Sequence, residues 1–137
     1  MLLESVKIIQ LPKILDERGN LSFLEEGKHV PFKIERTYWI YDVPGGEVRG
    51  GHSYFINDEI IVALSGSFDV VVNDGTTQKT FSLNRSYYVL YVPKGIWRHM
   101  ENFSTNSLAF IVSSTHFNEA DYERDFNQFV LSKKNNE

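Results

Sequence analysis

Cysteine is absent from the 137-residue chain. That excludes a disulfide framework and thiolate chemistry, and it fits a cytosolic protein. Basic charge is not in excess either: 14 Lys and Arg stand against 18 Asp and Glu, for a net charge of −4, and no Lys/Arg stripe stands out. Nucleic acid is therefore not an expected partner. No apolar run approaches the roughly 20 residues that cross a bilayer, and the start of the chain, with Glu4 near Met1, lacks the basic and apolar regions of a signal peptide. The chain reads as soluble, cytoplasmic and without a membrane partner. Helical periods are few, whereas ten Phe, seven Tyr and two Trp accompany many β-branched residues. That composition favours sheet, and the length suits one domain over residues 1–137.

Taken in order, the sequence is a succession of short extended segments. Val6 to Leu11 predicts a strand ended by Pro12, and Asp16 to Asn20 predicts a turn from which Leu21 to Glu25 returns. After a loop from Gly27 to Pro31, Ile34 to Tyr41 predicts a long strand. Ile34, Arg36, Tyr38 and Ile40 would share one of its faces. Ile60 to Leu64 is a strand ended by Ser65-Gly66-Ser67. Phe68 to Val72 and Gln78 to Leu83 flank Asn73-Asp74-Gly75, the strongest hairpin signal in the chain. Tyr87 to Val92 and Leu108 to Val112 complete the set. Only the C-terminus looks helical, with Asn118 as cap, Glu119 and Asp121 in the first turn, and Tyr122, Phe126, Phe129 and Val130 at helical spacing. The tail from Lys133 to Glu137 is expected to fray. The expected fold is an all-β antiparallel sandwich or barrel with a short C-terminal helix.

One stretch concentrates chemistry: Arg49-Gly50-Gly51-His52-Ser53-Tyr54, followed by Glu59. On a strand, His52 and Tyr54 share a face. A lone histidine is ordinarily a hydrogen-bonded interior residue, but this one has company in Arg49, Arg98, Tyr54 and Tyr38. Such a cluster is costly to bury without a ligand to satisfy it. His52, with an ordinary pKa near 6.5, is then a candidate general base. Arg36 and Arg18 add to the cluster unless they are solvated or salt-bridged, and Trp97 and Trp39 read as core packing.

The spacing resembles the cupin jelly rolls. Their first motif reads here as His52, Tyr54, Glu59 and Gly66, and their second as Pro93, Gly95, Arg98 and Asn102. The ligands of metal-binding cupins would fall at His52, Tyr54, Glu59 and Arg98. Arginine offers no lone pair and stays charged, and tyrosine is a weak ligand until it ionises near pH 10. Two donors remain where catalytic zinc sites use three, so no metal and no cofactor are expected.

Further residues resemble one family within the cupins. They are Ile34 to Asp42, Arg49 to His52, Leu64 to Ser67, Asp74-Gly75, Tyr91 to Pro93, Ile96 to Arg98, Glu101 to Ser104 and Asp121-Tyr122. Together they resemble the sugar-nucleotide 3,4-ketoisomerases, the WxcM-like cupins, over nearly the whole chain. The resemblance implies isomerisation of a dTDP-linked 4-keto-6-deoxyhexose to its 3-keto isomer through an enediolate, without a metal, on the route to deoxyamino sugars of surface polysaccharides. It implies His52 as the base and Tyr38 as a polar partner at the reacting oxygens, while Tyr54, a departure from the family at this place, is a third catalytic candidate as a donor of a proton or hydrogen bond. Arg49 and Arg98 would neutralise phosphate or oxyanion charge. Arg36, Arg18, Glu59 and Asn102 complete the substrate-binding set, and a homodimer exchanging N-terminal strands is implied. Many relatives carry a second histidine where this chain has Tyr54. The alternatives are a dTDP-sugar 3,5-epimerase, a catalytically silent sugar-nucleotide-binding cupin and, more remotely, a metal-dependent oxygenase.

Overall fold

The computed structural model describes residues 2–135. A 3-10 turn, Leu2–Ser5, leads into twelve strands: β1 Lys7–Gln10, β2 Lys13–Ile14, β3 Leu21–Ser22, β4 Arg36–Ile40, β5 Arg49–Tyr54, β6 Glu59–Ser65, β7 Phe68–Asn73, β8 Gln78–Leu83, β9 Tyr88–Val92, β10 Trp97–Glu101, β11 Leu108–Ser113 and β12 Tyr122–Glu123. The helix α1, Phe126–Asn135, closes the described chain. One five-stranded sheet runs β1-β9-β6-β11-β4 and the other β12-β5-β10-β7-β8, while β2 and β3 form a separate hairpin. Every strand pair is antiparallel. The sheets face each other as the antiparallel sandwich that the patterning predicts, in the jelly-roll form that the cupin resemblance implies.

Period-two burial explains the sandwich. Ile61 and Ala63 of β6, Val70 and Val72 of β7, Leu90 of β9, Met100 of β10 and Ile111 of β11 form the core between the sheets. β6 is buried on its other face too. Ile60 and Val62 join Val89 and Val112 under Leu11 and Val30, so the segment between β3 and β4 covers that face. A strand buried on both sides reads as a continuous apolar run, and that is how 60–64 reads.

The β7–β8 hairpin turns through 74–77, where the Asp74 carboxylate accepts from the backbone N–H groups of Thr76 and Thr77 and from the Thr76 hydroxyl. The strand expected over 21–25 is shorter than predicted. It pairs through Leu21 and Ser22 alone, with a partner at Lys13 and Ile14 that has no strand signature of its own.

The C-terminal reading needs a larger correction. Asn118 does cap a turn, but only the 3-10 turn Glu119–Asp121. The buried Asp121 carboxylate accepts from the N–H groups of Ile56 and Asn57, which ties it beside β5. The chain therefore leaves the turn extended, with Tyr122 opposite Tyr54 and Glu123 opposite Ser53. Helix begins only at Phe126, behind Asp125, whose side chain caps Gln128 N–H. The spacing of Tyr122, Phe126 and Phe129 imitates a helical face although only the last two residues are helical. Fraying expected from Lys133 is not seen through Asn135, and residues 136–137 lie outside those described.

Candidate active site

A cleft of about 340 Å³ opens where the edge strand β4 of one sheet faces β5 of the other, between Tyr38–Ile40 and Arg49–His52. Tyr54, Arg98, Tyr122 and Arg124 complete its walls. Residues three apart on a regular strand point to opposite faces, yet Arg49 and His52 both line the cleft. The register supplies the reason. Arg98 pairs with His52, but Met100 pairs with Arg49, so three steps along β5 match two along β10. This bulge falls at Gly50-Gly51, with Gly50 at φ 72°. A side chain at Gly50 would also collide with Arg98 Nη1. Gly50→Ala is expected to cost roughly 2 kcal/mol or more from left-handed strain and the displaced guanidinium, measured by chemical denaturation.

Beneath the cleft lies a buried charged network. The side chains of Arg98 and Glu59 are each 1% exposed, and Arg98 Nε donates to Glu59 Oε1 at 2.6 Å. Arg98 Nη1 donates to the Gly50 carbonyl and Nη2 to the Tyr38 hydroxyl, both at 2.9 Å. The Tyr38 hydroxyl donates to Glu59 Oε2 at 2.9 Å. From Tyr38 a chain of phenols continues: Tyr38 Oη lies 3.3 Å from Tyr54 Oη, and Tyr54 donates to Tyr122 Oη at 3.3 Å. Burial, and then the Glu59 carboxylate, push both the Tyr38 and the Tyr54 phenol above the ordinary tyrosine range.

His52 sits against this chain. Its ring packs edge-on to Tyr54 and Tyr122, with centroids 4.7 and 4.9 Å apart. His52 and Tyr54 thus share a face, as the alternation predicts. His52 Nε2 is buried and has no hydrogen-bond partner in the protein. Burial, then the cations of Arg98, Arg124 and Arg36, hold its pKa down to about 2. The imidazole is neutral, and its Nε2 is not engaged by any group of the protein. Because an unfolded histidine titrates near 6.5, the unfolded chain binds the extra proton between that pH and the folded value, so stability falls on acidification below about pH 6.5. The expected contribution is about 1.4 kcal/mol per pH unit. Urea titrations from pH 6.5 to 5 should show that extra slope in the native protein and not in His52→Asn; equal slopes would contradict the assignment.

The other expected site residues divide. Arg49 lines the cleft. Arg36 stands behind it, its guanidinium over the Tyr38 and Phe117 rings and its buried Nε without a partner in the protein. Arg98 borders the cleft, but all its guanidinium nitrogens are bonded within the protein, so as placed it supports Tyr38 and does not reach for phosphate. Glu59 is fully buried and serves the same network. Arg18 is 89% exposed on the β2–β3 connection, paired with Asp16, and is not among the residues lining the cleft. Asn102 is not among them either; it takes a left-handed turn after β10, with φ 57°, and donates to Asp69.

Trp97 is core, packed on Phe126 and Phe129. Trp39 is not: it is 56% exposed, stacks on Phe110, and belongs to the β4 wall. Sequence reasoning missed Tyr122 and Arg124 as site residues, because the helical reading of their segment hid that β12 lies along β5. Arg124 covers the Tyr122 ring at 4.2 Å and pairs with Glu119.

The four cupin metal positions are occupied by an ion pair, Glu59 with Arg98, one phenol, Tyr54, and one imidazole, His52. Among the described residues no group of three or more His, Asp or Glu converges to hold a metal ion. A guanidinium bonded to the only carboxylate of the set does not fit a divalent cation.

Fold and cleft together define a cupin-type enzyme. The model of the FdtA family, WxcM-like C-terminal, matches residues 4–134. The chain is 36% identical over 123 residues, 90% of its length and 88% of the relative's, to TDP-4-oxo-6-deoxy-alpha-D-glucose-3,4-oxoisomerase of Aneurinibacillus thermoaerophilus. Its structure superposes with a TM-score of 0.91 at 35% identity, covering 94% of this chain and 97% of the other, on a 3,4-ketoisomerase from Helicobacter canadensis. A TM-score of 0.92 at 27% identity, covering 95% and 94%, relates it to an asparagine-for-histidine variant of the 3,4-ketoisomerase QdtA from Thermoanaerobacterium thermosaccharolyticum, in complex with TDP-4-keto-6-deoxyglucose. The chain belongs to the FdtA family of sugar 3,4-ketoisomerases and is an isomerase.

Proposed function

We propose that this enzyme converts a TDP-linked 4-keto-6-deoxyhexose to its 3-keto isomer by proton transfer through an enediolate, with His52 as the base and no metal. The observation that carries the reading is His52 itself: a buried, neutral imidazole with an unpartnered Nε2, on the wall of a cleft flanked by Arg49, Arg36 and Arg124. His52 removes the C3 proton and returns it to C4 on the same face of the sugar. The phenols around it serve the oxygens, which exchange keto and hydroxyl character. Arg49 and Arg124, at the rim, meet the diphosphate, and Arg36 adds positive potential behind His52. That the related QdtA was captured with its keto-sugar ligand in a histidine-replaced form supports a histidine in the chemistry.

In this reading the whole chain acts as one unit in the cytoplasm, on the route to amino-deoxy sugars of surface polysaccharides such as the O-antigen of lipopolysaccharide. No helix among the described residues is long and apolar enough to cross a membrane. The reading includes a homodimer with exchanged N-terminal strands. In the single chain β1 is a sheet edge held by β9, a pairing that an identical strand from a second copy reproduces. Exposed Trp39 and Leu64 supply apolar surface for such a contact. Light scattering behind size exclusion should give twice the chain mass. Enzyme dialysed against EDTA should convert TDP-4-keto-6-deoxyglucose to the 3-keto product at an unchanged rate, followed by proton NMR; loss of activity restored by a divalent metal would overturn the mechanism.

A further inference from the structure

The isomerisation moves two hydrogens: one from C3 to C4, and one from the oxygen on C3 to the oxygen on C4. His52 accounts for the first. The second needs a group that gives a proton to one oxygen while a connected group takes one from its neighbour.

Tyr38 is poorly placed for this. Its hydroxyl hydrogen goes to Glu59 Oε2, its oxygen accepts from Arg98 Nη2, and its remaining contact is Tyr54 Oη. With its one hydrogen given to Glu59 and its oxygen accepting from Arg98, the Tyr38 hydroxyl has no proton left for a sugar oxygen. Tyr54 and Tyr122 are differently engaged. Tyr54 donates to Tyr122, and the Tyr122 hydroxyl hydrogen is given no acceptor by that bond. Both line the cleft, both rings touch His52, and their oxygens are 3.3 Å apart, close to the spacing of vicinal oxygens on a pyranose ring. That separation is long for an O–H···O bond, as catalytic hydrogen bonds often are before substrate arrives.

Resting on the ketoisomerase reading, we propose that Tyr54 and Tyr122 form a paired phenol shuttle that carries the hydroxyl proton between the two sugar oxygens, while Tyr38 only anchors the pair. The atoms balance as follows. The C3–H bond breaks to His52, its electrons form the C3–C4 double bond, and the carbonyl electrons move onto the C4 oxygen; in a separate step that oxygen takes the proton of Tyr122. Tyr122 takes the proton of Tyr54, and Tyr54 takes the proton of the C3 hydroxyl. The C3 carbonyl forms, and the double-bond electrons take the proton back from His52 at C4. Imidazole and both phenols end as they began, and no oxidant or reductant is used. Because burial raises the pKa of the Tyr54 phenol, the three proton transfers pass along the chain together and neither phenol is left ionised. Arg124, over the Tyr122 ring at 4.2 Å, holds the outer phenol in place.

The test uses Tyr122→Phe, Tyr54→Phe and the double variant, each of which keeps the ring packed beside His52. In deuterated water with TDP-4-keto-6-deoxyglucose, each single variant should isomerise about 10- to 100-fold more slowly while recovered substrate still gains deuterium at C3. KM should change little, and the double variant should be scarcely slower than either single, because a broken two-member chain cannot be broken again. Full isomerisation by Tyr122→Phe would overturn the shuttle. So would parallel loss of C3 exchange and isomerisation, which would make Tyr122 a positioning residue for His52. If the unaltered enzyme neither exchanges C3 nor isomerises this substrate, the ketoisomerase reading itself falls, and the shuttle with it.

Discussion

Replacing His52 by Asn is expected to lower kcat for 3,4-isomerisation by at least about 1000-fold, because one group removes the C3 proton and delivers it to C4. Binding of TDP should change by less than about threefold, or roughly 0.7 kcal/mol, since the rim arginines and not the imidazole meet the nucleotide. The melting temperature should stay close to that of the native enzyme. His52 makes no hydrogen bond through Nε2 that the variant could lose, and asparagine fills part of the same space between Tyr54 and Tyr122. Calorimetric titration with TDP beside a product assay separates the two quantities. Substantial turnover by the variant would remove His52 from the chemistry, and lost TDP binding would make it a ligand contact.

The second large effect is on stability. Glu59→Ala leaves the Arg98 guanidinium buried, charged and without its counter-ion, a change that costs about 3–5 kcal/mol. For a chain of this size that lowers the melting temperature by roughly 10–20 °C. A double change of Glu59→Leu with Arg98→Met should recover most of the loss, because two apolar side chains of similar volume avoid the desolvation of both ions. It should nevertheless leave the enzyme impaired, since Tyr38 then loses both the acceptor and the donor that hold its hydroxyl. Thermal unfolding of the single and double variants reads the first effect and turnover reads the second. A double variant as unstable as Glu59→Ala would show that the network's cost lies in packing and not in charge. A fully active one would show that Tyr38 needs neither partner.

How much of this was legible in the sequence depends on whether the signal was local. The alternation through Tyr38, and His52 with Tyr54, was readable because a strand imposes period two wherever one face is buried. The apolar run 60–64 and the Asn73-Asp74-Gly75 turn placed β6 and the β7–β8 hairpin for similarly local reasons. The C-terminal segment misled because Tyr122, Phe126 and Phe129 fit a helical period, while the competing interaction is non-local. Asp121 is more than sixty residues from the backbone groups of Ile56 and Asn57 that it holds, and no window of sequence contains both. Tyr122 and Arg124 followed β12 to the cleft unnoticed. Arg98 was legible as a site residue but not its duty. The sequence shows that an arginine sits where a cupin ligand would, and only the fold shows that it is spent on Glu59, Gly50 and Tyr38. Trp39 reads as core by composition, yet it faces outward because β4 is a sheet edge whose inward positions are taken by Tyr38 and Ile40.

The most direct test of the central claim is a proton NMR time course of the unaltered enzyme with TDP-4-keto-6-deoxyglucose in deuterated water. The account predicts growth of the 3-keto isomer with deuterium only at C3 and C4. Deuterium entering at C5, or no change in the spectrum at all, would contradict it.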